Sequence, residues 1–312
     1  MKVEKGKLRF FGIVLVLLAA VFWGVSGTVA QYLFQEHGVG VSWLVVIRLL
    51  VSGLLILLIT MIKRENNIWA IWKDHWFGLI LFGTLGLLAV QYTYFAAIEA
   101  SNAATATLLQ YLAPAMIVLY VALKMKSLPS RTQFMAIGFA LVGTFLLVTH
   151  GNFRELSITG WALFWGIASA LALAFYTLQP IQLLKKYGSF VVVGWGMIIG
   201  GIGMSFLHPP WRVEGNISVS SITAISFVIV FGTLLAFLCY LESLKYLKAT
   251  EASLLACTEP LSAALLAVLW LNVPFGFSEW LGAFCIIATI VILSRIKDKR
   301  EVPFIKKERL RA

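Results

Sequence analysis

Apolar residues along this chain gather into runs of about 20, the length that as a helix crosses roughly 30 Å of hydrocarbon. Short polar gaps separate them. The runs lie near residues 10–34, 41–62, 76–98, 102–123, 132–149, 160–184, 189–207, 221–244, 249–270 and 277–295. Of the 25 Lys and Arg residues, 22 fall in every second gap, counting both termini and Arg295 at the edge of the last run; Arg154 and Arg212 occupy the alternate gaps, and Arg48 lies inside the second run. Basic residues mark the cytoplasmic side of a membrane chain, so this alternation places both termini there. Adding or removing one crossing would invert every later gap and scramble the segregation. The pattern predicts an all-α polytopic membrane protein with ten transmembrane helices.

Composition excludes most other classes. The 312 residues are 60% hydrophobic and 12% charged, with a mean hydropathy of +0.91, which leaves too little polar surface to cover a soluble globule. The net charge of +11 is topogenic: no basic stripe, zinc-ligand spacing or RNA-binding motif accompanies it, so no nucleic-acid partner is expected. The first run is too long for a signal peptide and reads as a retained helix. Cys239, Cys257 and Cys285 sit inside apolar runs and read as packing residues rather than a disulfide framework. His37, His75, His150 and His208 fall in gaps or at run edges, which argues against an intramembrane histidine relay. No phosphate-binding loop points to ATP, and no nucleophile–base pair or metal cluster at depth points to an enzyme or a cofactor. A scaffold or sensor would carry a soluble extension, and the short gaps offer none. Residues 296–312 form a basic tail suited to anionic membrane lipid.

Shifting the chain by 146 residues lays Tyr94 on Tyr240, Ala103 on Ala249, Ala106 on Ala252, Leu108 on Leu254, Leu109 on Leu255 and Pro114 on Pro260. A shift of 147 lays Ser42–Val46 on Ser189–Val193. The chain therefore divides into residues 10–149 and 160–295, five runs each. An odd number of crossings forces the second copy to enter the bilayer from the opposite side. Two inverted five-helix repeats are the architecture of alternating-access carriers, which hold solute near midplane between the halves.

Polar groups at depth are expensive in lipid, so those that persist are candidate functional residues. Glu259 lies about ten residues into the ninth run, or ~15 Å along a helix. Pro260 has no N–H, so the carbonyl of Ala256 loses its helical donor and the backbone is free to face a cavity. A carboxylate there suits a cation or a proton; the alternative is a protonated side chain that bonds a neighbouring helix. In the other half Pro114 frees the carbonyl of Gln110, which with Tyr111 sits at equivalent depth. Gln110, Tyr111 and Glu259 are expected to face one central cavity. Arg48, about seven residues from the outer end of its run, either snorkels outward or pairs with a substrate carboxylate or an internal acid. Glu242 and Lys245 are spaced for an ion pair; Glu99 and Glu251 are expected to be solvated. Trp23, Tyr92, Tyr94, Trp165, Tyr176 and Tyr240 either line a pocket or pack. Gly78, Gly83, Gly86, Gly196, Gly200 and Gly203 read as close helix contacts.

The stretches Ala19–Gly24, Ile47–Leu50, Ala103–Tyr120 around Pro114, Gly194–Met197 and Ala252–Pro260 together resemble the EamA-type family of the drug/metabolite transporter superfamily. One departure is visible: Leu271-Asn272-Val273 stands where members often carry Gly-Glu, so no outer acid is carried over. The resemblance implies secondary transport of small solutes, commonly amino acids, other metabolites or drugs, across a bacterial cytoplasmic membrane. Export of an amino acid or related metabolite is the first expectation; flipping of an amphipathic lipid-linked molecule is the alternative. Two fused halves can enclose a pathway within one chain, so a monomer is expected.

Overall fold

The computed structural model describes residues 2–63, 68–101, 103–156, 159–271 and 276–294, and all regular structure among them is helical. Residues 296–312, expected to form the basic tail, and Asn272 and Val273 lie outside the described residues. In the first half the helices are α1 Lys2–His37, α2 Val41–Lys63, α3 Ala70–Leu81, α4 Ala89–Glu99, α5 Ala103–Gln110, α6 Ala113–Met125 and α7 Arg131–Thr149. The second half comprises α8 Gly160–Leu178, α9 Ile181–Tyr187, α10 Ser189–Ser205, α11 Val219–Ile229, α12 Ala236–Ser243, α13 Ala249–Ala256, α14 Glu259–Leu271 and α15 Phe277–Ser294. Helices satisfy their own backbone groups, which lipid would leave bare.

Seven helical stretches among the described residues are long and apolar enough to cross a bilayer: Lys7–Phe34, Val41–Ile62, Ala70–Ile98, Thr105–Met125, Arg131–Thr149, Gly160–Tyr187 and Val219–Ser243. The runs at 189–207 and 277–295 form the shorter apolar helices α10 and α15, and the run at 249–270 is split between α13 and α14. Two stretches are not plain α-helix. Between α3 and α4, and again between α11 and α12, the chain widens into π-helical segments at Phe82–Leu88 and Val230–Leu235. They begin 148 residues apart and end 147 apart, close to the shift of 146 that relates the two halves in sequence.

The most extensive helix pairs are α2 with α10, α7 with α15 and α4 with α8, while α1 lies along α12 and α14. The common core includes Leu49, Phe82, Leu87, Tyr176, Met197 and Tyr240. Gly83 and Gly200 bring the first π segment against α10 so closely that a Cβ on Gly83 would lie 2.9 Å from the Gly196 carbonyl, and one on Gly200 2.9 Å from that of Gly83. Close glycine contacts were expected here, and no larger residue fits.

Polar ties join the helix ends. Arg9 pairs with Glu251 and also donates to the Leu293 carbonyl at 2.7 Å. Glu251 is therefore not the solvated residue expected: its side chain is only 13% exposed, because the start of α13 is packed beneath α1. Lys245 meets Glu242 at 2.7 Å as the spacing predicts, and Ser189 and Tyr246 also bond that carboxylate. Asp74 takes Lys186 and the Tyr187 hydroxyl. At the other helix ends, Trp43 donates to the Pro210 carbonyl at 2.9 Å, Asn216 to that of His37 at 2.7 Å, and His150 meets Glu279. The side chain of Glu99 lies outside those described. Cys239, Cys257 and Cys285 are free, and the last two are buried.

Candidate functional site

Two interrupted helices define the site. Helix α5 stops at Gln110, Tyr111 and Leu112 form a turn, and α6 restarts with Pro114 in its first turn. Helix α13 stops at Ala256, Cys257 and Thr258 form a turn, and α14 restarts at Glu259 ahead of Pro260. The cause is the same twice: a proline at the start of the second piece has no N–H for the carbonyl four residues back, so the helix ends there. An orphaned carbonyl in an apolar interior needs another donor.

At the second break those donors come from side chains. Thr258 Oγ1 donates to the Leu255 carbonyl at 2.6 Å, and Ser262 Oγ donates to the Glu259 carbonyl at 2.7 Å and approaches that of Ala20 at 3.3 Å. The Ala256 carbonyl, the one Pro260 orphans, faces the Tyr111 hydroxyl at 3.3 Å. The same hydroxyl lies 2.8 Å from Glu259 Oε2. Helix α1 rests directly on the break, where a Cβ on Gly24 would lie 2.8 Å from the Glu259 carbonyl. Glu259, the first residue of α14, is half-buried although it lies in the middle of the ninth apolar run, while Tyr111 is buried.

The structure thus brings Tyr111 and Glu259 together and turns Gln110 elsewhere: its amide donates to Ser169 Oγ on α8 at 2.7 Å. Arg48 neither snorkels outward nor meets an internal acid among the described residues. It is 7% exposed, and it donates through Nε to Thr233 Oγ1 at 2.8 Å and through Nη2 to the Gly232 carbonyl at 3.3 Å. It points to the second π segment rather than outward, and no carboxylate among the described residues partners it. The widened turn offers it acceptors, which makes a counter-charge unnecessary for hydrogen bonding.

Aromatic residues surround the breaks. Trp23 packs edge-on against Phe237 and tilts onto Tyr240, and Tyr176 stacks on both Tyr240 and Phe82. Tyr92 meets Trp165 in a separate pair. Tyr94 bonds Thr107 at 2.8 Å, and its repeat counterpart Tyr240 bonds Thr177 at 3.0 Å. The sequence did not single out Thr107, Ser169, Thr177, Thr233 or Ser262. Each is a small hydroxyl residue inside an apolar run, which is a usable signal, though one shared with many hydroxyls that merely bond their own helix.

Broken helices with a half-buried acid at the break are features of membrane transporters, and comparison with known proteins places the chain in that class. The model of the EamA-like transporter family matches residues 10–149 and again 160–295, so the chain is a member of that family. It is 43% identical over 294 residues to the "Uncharacterized inner membrane transporter YicL" of Salmonella typhimurium, covering 93% of this chain and 97% of that one. The "Uncharacterized transporter YwfM" of Bacillus subtilis is 23% identical over 287 residues, covering 92% and 94%. A solved structure described as "Crystal structure of protein" superposes with a TM-score of 0.76 over 90% of this chain and 95% of its own, at 16% identity, a likeness of fold.

Proposed function

We propose that this membrane transporter is a gradient-driven or exchange carrier that alternates access to a central site built around Glu259, Tyr111 and Gln110. Its ten spans form two inverted five-helix repeats, residues 10–149 and 160–295, with both termini cytoplasmic. Support comes from features that recur in both halves: the two proline breaks, 146 residues apart, and the π segments, 147–148 residues apart. The ties between helix ends agree with the topology, because each joins gaps of the same parity: Arg9 to Glu251, Asp74 to Lys186, His37 to Asn216 and His150 to Glu279.

The observation that carries the reading is the Tyr111–Glu259 bond, which joins the break in one half to the break in the other across 148 residues of chain. Around it, α6 packs on α13, whereas α5 lies on α8 and α14 on α1. The halves of the broken helices that face the cytoplasm in this topology are therefore together, while their other halves diverge. That is the arrangement of a carrier closed to the cytoplasm.

The solute class proposed first is an amino acid or related metabolite, carried outward. A thermal-unfolding screen of the purified protein against such compounds tests it, since a ligand at 100 times its Kd adds about 2.7 kcal/mol to stability. A stabilising solute then serves for flux in proteoliposomes. Glu259→Gln is expected to abolish the pH dependence of that flux and most of its rate. Near-normal flux in the variant, at every pH, would remove Glu259 from the mechanism.

A further inference from the structure

The Tyr111 hydroxyl faces two acceptors and owns one proton. Glu259 Oε2 lies 2.8 Å from it and the Ala256 carbonyl 3.3 Å. A phenol donates a single hydrogen bond and accepts others, while an ionised carboxylate only accepts and a protonated one also donates. Two hydrogen-bond patterns follow. With Glu259 ionised, the Tyr111 proton turns to the carboxylate and the Ala256 carbonyl is left bare, since Pro260 cannot supply the N–H a helix would have provided. With Glu259 protonated, the acid donates to the Tyr111 oxygen, and the phenolic proton is released to the Ala256 carbonyl. Only the second pattern satisfies every group, and in a site shielded from water an unsatisfied carbonyl is costly.

Resting on the reading of Glu259 as the exchanging acid, we propose that Tyr111 is a positioning residue that transmits the protonation of Glu259 to the break between α13 and α14. Protonation closes the chain Glu259–Tyr111–Ala256 and holds the break together. Loss of the proton opens it, and the break then offers a carboxylate and a bare carbonyl side by side, a pair of acceptors suited to a protonated amine. No net charge moves within the relay: one proton arrives on the Glu259 oxygen, and the Tyr111 O–H only rotates.

The titratable groups that face Glu259 are few, so the site is simple to interrogate. Tyr111, Tyr94 on α4 and Cys257 at the break lie within its electrostatic reach. Of the helices packed against α13 and α14, namely α1, α6, α7, α8 and α15, none carries a Lys, Arg, His, Asp or Glu at this depth. Their charged residues stand in the end turns.

Hydrogen exchange on the full-length protein in lipid nanodiscs, read by mass spectrometry on peptides spanning residues 253–263 and corrected for the intrinsic pH dependence of exchange, tests the relay without a known solute. The wild type is expected to open roughly fivefold more readily at alkaline than at acidic pH, the change that one hydrogen bond makes to an opening equilibrium. Tyr111→Phe should remove that difference and leave the break at the faster level, because the Ala256 carbonyl is never capped. Glu259→Gln should also remove it, but at the slower level, since the Gln amide donates permanently to Tyr111. Pro260→Ala is the decisive variant: it restores an N–H for the Ala256 carbonyl, so the break should become slow and pH-independent with Tyr111 and Glu259 both intact. It also carries the test if Tyr111→Phe does not fold.

A wild type without the pH-dependent step overturns the relay, as does a step that survives in Tyr111→Phe or Pro260→Ala. A step that survives in Glu259→Gln overturns it as well, and shows in addition that another group titrates; if flux in that variant is normal too, the role of Glu259 in transport falls with it. Loss of the step in Glu259→Gln alone leaves the carrier reading standing and removes only Tyr111.

Discussion

The two π segments correspond in sequence register yet are held in opposite ways. Around Val230–Leu235 three carbonyls are met by side chains: that of Val228 by Thr233 at 2.9 Å, that of Ile229 by Ser52 at 3.1 Å and that of Gly232 by Arg48 at 3.3 Å. Two of these donors come from α2, in the other half of the chain. Around Phe82–Leu88 the carbonyls of Ile80 and Leu87 are met from the same strand of helix, by Thr84 at 2.8 Å and Gln91 at 3.1 Å. Contact with α10, again in the other half, is made through Gly83, Gly196 and Gly200 instead. A widened turn misaligns its carbonyls, and the fold satisfies them either by reaching across or from within. In the alternating-access carrier proposed above, two halves that change their relative position would be better served by one seam that is directional and one that is smooth. On this view the polar seam at Arg48 fixes a pivot, and the glycine seam at α10 is where sliding occurs.

The largest effect should come from filling the smooth seam. Gly83→Leu places a side chain where a Cβ alone would lie 2.7 Å from Ile199. Overpacking of this kind costs about 3 kcal/mol, which a drop in thermal stability of the purified protein would register. A variant as stable as wild type would show that the seam is loose and that the glycines do not set it. The polar seam should respond next. Arg48→Lys keeps the charge but replaces a planar fork with a single ammonium, so one of the two acceptors is lost. A hydrogen bond from a charged group contributes about 2 kcal/mol, and unfolding in detergent should show a loss of that order. No loss would mean that the second hydrogen bond of Arg48 adds nothing to what a single ammonium supplies.

How much of this was legible in the sequence depends on how local its cause is. The splitting of the ninth run at Pro260 and of the fourth at Pro114 follows from a missing N–H four residues from its carbonyl, and it could be read directly. So could the meeting of Tyr111 with Glu259, because the repeat placed both at equivalent depth in broken helices. The protein partners of Arg48 were not legible because they lie 185 and 184 residues away on a turn that hydropathy does not mark: a π segment of apolar residues has the same composition as a helix. Glu251 was misread for a related reason, since its burial depends on Arg9, 242 residues earlier. Gln110 sat at the expected break, but an amide side chain has several rotamers, and only the packing of α8 selects the one that meets Ser169.

The smallest expected effect discriminates best between the two seams. Ser52 is fully buried and spends its proton on the Ile229 carbonyl across the interface between the halves. Thr84 spends its own on a carbonyl four residues back in the same helix. In membrane proteins a hydrogen bond between helices contributes about 0.6 kcal/mol, whereas a hydroxyl bonding back to its own helix adds little and slightly bends it. Ser52→Ala should therefore lower stability by about 0.6 kcal/mol, and Thr84→Ala should leave it nearly unchanged. Paired unfolding curves under one set of conditions decide between them. If the two losses are equal, the reach of Ser52 across the halves contributes nothing beyond its own helix, and the contrast between the seams reduces to Arg48. If Ser52→Ala and Arg48→Lys together lose less than the sum of the two separately, the donors from α2 act as one unit on the π segment, as a pivot requires.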